Sequence, residues 1–128
     1  MDKKLNQLYQ STILKHGHAP RNFGKPEKYQ RFAEGFNPLC GDKVDIYCNY
    51  NFNLELEVNF ESVSCVICTA SASLMTTELG GSSKDKAILL IDSVLEGLNY
   101  STLDKEILSK QLTMLNGVKE FPSRIQCA

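Results

Sequence analysis

The chain has 128 residues, of which 42% are hydrophobic and 23% charged, with a net charge of −1 and a pI near 6.1. That length suits one domain with its own core, and the near-neutral balance gives no electrostatic case for nucleic acid or an anionic membrane. No apolar run reaches the roughly 18 residues of a membrane span, and the amphipathic opening MDKKLNQLYQSTILKHG has no signal-peptide core or cleavage site, so the expected location is the cytoplasm.

Residues 2–16 place Leu5, Leu8, Tyr9, Thr12 and Ile13 on one face, the spacing of a helix. His16-Gly17-His18-Ala19-Pro20 closes it with Gly and Pro punctuation. Residues 17–38, rich in Gly, Pro, Asn and charge, read as an irregular connection. Strand character starts after Cys40, where Val44, Ile46 and Cys48 alternate with Asp45, Tyr47 and Asn49. A turn at 49–53 leads to Leu54, Leu56, Val58 and Phe60, alternating with Glu55, Glu57, Asn59 and Glu61. This is an antiparallel hairpin with one apolar and one polar face. Residues 64–75 are small and apolar: a strand end, a tight turn at Cys65, then a helix stopped by Gly80-Gly81. Ser83 is placed to cap a second helix carrying Ala87, Ile88, Leu90, Ile91, Val94 and Leu95. A weaker helical stretch covers 102–116, and 121–127 reads as a turn feeding another helix. Strands followed by helices give an α+β domain spanning 1–128.

Chemistry concentrates at the five cysteines, Cys40, Cys48, Cys65, Cys68 and Cys127. Cytoplasmic thiols stay reduced, and an odd number points to metal, sulfur chemistry or core filling rather than a disulfide framework. Cys40-Gly41-Asp42, Ser64-Cys65 and Arg124-Ile125-Gln126-Cys127 each set a Cys beside a turn or helix start, where thiolates are favoured. Gly41 allows a turn that aims Cys40 and Asp42 at one centre. Three thiolates and a carboxylate make a tetrahedral set suited to zinc, and the excess negative charge calls for cations such as Lys43 and Arg124. Spacing alone leaves plainer readings open. Cys40 and Asp42 also suit a turn, Cys65 a buried small hydrophobe, and Cys127 a loose terminal thiol. Cys48 falls on an apolar strand face and reads as core. Cys68 forms C-x-x-C with Cys65 and reads as helix packing, with an auxiliary thiol as the other option. His16 and His18 read as structural groups at a helix C-terminus.

The segments LYQSTILKHGHAPRNFG, NPLCGD, SCVICTASASLMT and GVKEFPSRIQCA resemble the IscU/NifU-type iron–sulfur cluster assembly family, and within it the SufU-like branch. Cys65 follows Cys40 by 25 residues and Cys127 follows Cys65 by 62; these intervals resemble SufU, the second being lengthened by an insert around residues 80–100. The resemblance implies a three-stranded antiparallel sheet packed against helices. It implies Cys40, Asp42, Cys65 and Cys127 as ligands of Zn2+, or of iron or a transient [2Fe–2S] cluster. It implies a zinc-dependent sulfurtransferase whose Cys40 accepts persulfide sulfur from a PLP-dependent, SufS-like cysteine desulfurase, with Arg124 engaging that partner and downstream assembly proteins receiving the product. The alternative is an IscU-like scaffold. Gln126 stands where scaffolds carry His and SufU-like members usually carry Lys. The family runs on for another helix beyond the third Cys, so this sequence is expected to lack that helix.

Overall fold

The computed structural model describes the backbone of residues 3–38, 41–99 and 122–128, and the side chains of 11–38, 41–99 and 125–128. Helix α1 (Lys3–His18) is followed by strands β1 (Arg31–Asn37), β2 (Asp42–Tyr50) and β3 (Leu56–Val63). Helices α2 (Val66–Leu79) and α3 (Lys84–Asn99) come next, then a 3₁₀ segment at Pro122–Cys127. The strands form one antiparallel sheet in the order β1-β2-β3. The α+β class and the three-stranded sheet are therefore as expected.

One face of the sheet supports the core. Leu56, Val58 and Phe60 of β3 are buried and stand opposite Tyr50, Cys48 and Ile46 of β2. Leu56 and Val58 pack with Leu79 of α2 and Ala87 of α3. A second cluster joins Ile13 of α1 to Ala70, Leu74 and Leu98. Small side chains let the helices approach: a Cβ on Gly17 would collide with the side chain of Val66. The end of α1 is thus held against the start of α2. Buried polar groups reinforce that junction. His16 Nδ1 lies 2.7 Å from Ser73 Oγ, which also accepts from the Arg21 amide at 2.8 Å. His16 is thus a buried structural group.

Three local readings need correction. Residues 31–37 are strand β1, not irregular connection; each pairs with β2, from Arg31↔Cys48 to Asn37↔Asp42. Leu54 does not face inward. It is 73% exposed with φ +59° in the β2–β3 turn, where Asn51 Oδ1 accepts from the amides of Asn53 and Glu55 in an Asx turn. Tyr47, assigned to a polar face, is buried. Tyr29 and Phe32 cover its ring with centroids at 4.9 and 5.4 Å, and its hydroxyl donates to Glu61. Burial and that carboxylate raise the Tyr47 pKa. Ser83 begins α3 as expected, accepting from the Lys86 amide. The stretch 102–116 lies outside the described residues, and no helix among those described is long and apolar enough to cross a membrane.

Candidate metal centre

Three chain segments meet at the N-terminus of α2. Asp42 opens β2 after a hairpin turn that needs Gly41 at φ +76°, a conformation glycine adopts without steric cost. The Gly41 amide closes the turn by donating to the Asn37 carbonyl at 2.8 Å. Cys65 is the N-cap of α2, with extended backbone angles of −69° and 166°. Its Sγ accepts from the Cys68 amide at 3.5 Å. Cys127 ends the 3₁₀ segment, and Ser71 Oγ pins the next residue by donating to the Ala128 carbonyl at 2.7 Å.

One ligand atom from each of Asp42, Cys65 and Cys127 lies within 4.8 Å of the others. Asp42 and Cys127 are buried, at 5% and 3% exposure, and Cys65 is half-buried. Asp42 bridges the group: its Oδ1 accepts from the Cys65 amide at 2.9 Å, and its Oδ2 takes the Cys65 Sγ–H at 3.5 Å. The amide contact fixes the carboxylate beside the sulfur. A buried carboxylate beside two thiols is an arrangement that a divalent cation suits, its charge balancing those of the ionised donors. Zinc tetrahedra with bonds of about 2.0–2.3 Å have edges of roughly 3.3–3.8 Å, so small rotamer adjustments close the observed spacing. The donor set therefore fits a metal ion.

Beside this group opens a cavity of about 290 Å³ between the inner sheet face and α2. Asn37, Asp42, Cys68, Met75, Gln126 and Cys127 are among its lining residues. Asn37 and Met75 escaped the sequence reading; the signal for Asn37 was its place just before the Pro38–Gly41 turn. Cys40 lies outside the described residues, as does the side chain of Arg124. Cys48 sits against the Leu56–Val58 cluster, away from the group, and its burial raises the thiol pKa. That position matches its reading as core.

The model of the NifU-like N-terminal domain matches residues 8–128. This chain belongs to that family. Relatives of this NifU-like domain include an iron–sulfur cluster assembly scaffold protein IscU of Streptococcus pyogenes serotype M1, 30% identical over 98% of this chain and 78% of the relative. The zinc-dependent sulfurtransferase SufU of Bacillus subtilis is 31% identical over 97% of this chain and 84% of the relative. A crystal structure from Fervidobacterium islandicum, described as a scaffold protein for the SUF system, superposes with a TM-score of 0.83 at 25% identity. It covers 95% of this chain and 89% of that one.

Proposed function

We propose that this NifU-like domain works in iron–sulfur cluster assembly as a SufU-like, zinc-dependent sulfur carrier. Cys40, Asp42, Cys65 and Cys127 are its metal ligands, and Cys40 is the thiol that accepts sulfur from a cysteine desulfurase persulfide. The observation behind this reading is the convergence of Asp42, Cys65 and Cys127 at the end of the hairpin turn that contains Cys40 in sequence. Bound zinc would hold thiolates in their deprotonated state and keep the ligand loops together. Asp42 is the hard donor in an otherwise soft set. It keeps the Cys65 amide and sulfur oriented. The cavity beside the group gives a sulfur donor room to approach. Arg124, two residues before Gln126, is assigned to engaging the desulfurase.

A scaffold role is the second reading, since the IscU relative is about as similar as the SufU relative. In that case a [2Fe–2S] cluster is cargo on the same residues. Gln126 counts against the scaffold, because its neutral amide is a poor iron ligand where an imidazole would be a good one, and it departs equally from the Lys of SufU-like members. The deciding experiment measures desulfurase turnover with the zinc-loaded and metal-free chain. Strong stimulation by the zinc form alone is expected. No stimulation by either form, together with visible charge-transfer absorption after anaerobic iron and sulfide reconstitution, would replace the carrier with the scaffold.

A further inference from the structure

Cys68 belongs to no assigned role, yet it stands at the candidate centre. Cys65 caps α2 and Cys68 sits in its first turn. The helical backbone at residues 66 and 67 sets their Cα spacing at about 5 Å, inside the roughly 4.4–6.8 Å range that a disulfide spans. The Cys68 amide already approaches Cys65 Sγ at 3.5 Å. Both residues are half-buried, and Cys68 lines the cavity that Asp42 and Cys127 also border. A ligand set of three cysteines and one aspartate is complete without it.

We propose that Cys68 is a resolving thiol that discharges a persulfide carried on Cys65 and releases its outer sulfur as sulfide. This deepens the sulfur-carrier reading and rests on it. Cys65 takes up sulfane sulfur from a persulfide donor, by way of Cys40 or directly. Cys68 Sγ then attacks Cys65 Sγ. The bond from Cys65 Sγ to the outer sulfur breaks as the Cys65–Cys68 disulfide forms. The outer sulfur leaves with the bonding electron pair, keeps its own proton, gains the Cys68 proton, and departs as hydrogen sulfide. Sulfane sulfur is reduced by two electrons and the two thiol sulfurs are oxidised to a disulfide. A dithiol reductant returns the pair to its starting state. Clusters are built from sulfide, whereas a persulfide delivers sulfur two electrons more oxidised. The C-x-x-C pair supplies that difference within one chain. Closing the disulfide also withdraws Cys65 from metal binding, so a bound ion and sulfide release exclude one another.

The test uses the full chain, as isolated and after chelation, treated anaerobically with glutathione persulfide in place of a desulfurase. Sulfide release, intact mass and peptide mapping are followed together. The chelated wild type is expected to release sulfide and lose two hydrogens in mass, with the new disulfide mapped to Cys65 and Cys68. Cys68→Ser and Cys68→Ala, checked for native melting, should stop at the persulfide, with one sulfur added and sulfide release reduced at least about tenfold. Release at the wild-type rate in folded Cys68 variants overturns the proposal. So does a wild type that holds the persulfide without oxidising, or a disulfide that maps to Cys127; these outcomes leave sulfur acceptance standing. A chain that takes up no sulfur from glutathione persulfide in either form overturns the resolving role of Cys68, whereas the carrier reading stands or falls by desulfurase turnover.

Discussion

In the middle of α2, Ser73 and Thr76 are almost fully buried, and each meets a group from a distant segment. Ser73 holds His16 and the Arg21 amide at 2.7 and 2.8 Å. Thr76 Oγ1 accepts from Asn22 Nδ2 and donates to the Ser73 carbonyl. At the N-terminus of the same helix the cap is a sulfur at 3.5 Å from its amide partner, a long contact for an N-cap that Ser or Asp normally fills. The Cys65 thiol there is half-buried, and a cavity opens alongside. The first region spends its polar atoms on joining α1 to α2. The second leaves sulfur and carboxylate donors for an outside ligand. Stability and chemistry are thus divided along one helix, and each half can be perturbed without the other.

The largest effect is expected outside both regions, in the buried face of β3. Phe60 has no exposed surface, and Phe60→Ala should cost about 3–5 kcal/mol in denaturant unfolding while leaving metal stoichiometry unchanged in the folded fraction. Next comes the helical junction. Ser73→Ala removes one partner from each of His16 and the Arg21 amide, and should cost about 1–3 kcal/mol, again without lowering metal affinity. At the other end the pattern should invert. Asp42→Asn keeps an acceptor for the Cys65 amide, so the metal-free protein should melt within about 1 kcal/mol of wild type yet lose the metal-induced rise in Tm. The smallest effect concerns Cys48. Burial raises its pKa above the ordinary 9.0, so the unfolded chain ionises first. The stability this gives is whole below pH 9.0 and falls as pH climbs towards the folded value. Cys48→Ala should flatten that alkaline decline, although Tyr47 adds a decline of the same sign at higher pH. Melting curves across the alkaline range would show it.

The sequence carried the core of this picture because the apolar alternation of β3 and the small-residue run of α2 are both written in residue type. It hid β1, whose side chains are exposed from Arg31 to Phe36. An edge strand without a buried face shows no inward apolar row, and its strand state comes from pairing with β2. The Pro38 and Gly41 punctuation just ahead of the β2 alternation was the available hairpin signal. Leu54 misled because alternation ran on into a turn that Asn51 actually controls. Tyr47 misled because aromatic cover from Tyr29 and Phe32 is a tertiary event. At the site, Asp42, Cys65 and Cys127 were legible as residue types beside turns. Their convergence came from the family resemblance and not from spacing, since Cys127 reaches the group only through the fold.

The most direct measurement is a zinc titration of the full chain with metal analysis and thermal melting, in wild type, Asp42→Asn, Cys65→Ser and Cys127→Ser. A shared site predicts one zinc per wild-type chain and a rise in stability of about 2.7 kcal/mol at a hundredfold excess over Kd. Each variant should lose both together. Stoichiometric zinc with an undiminished rise in Cys65→Ser or Cys127→Ser would contradict a single centre built from these residues.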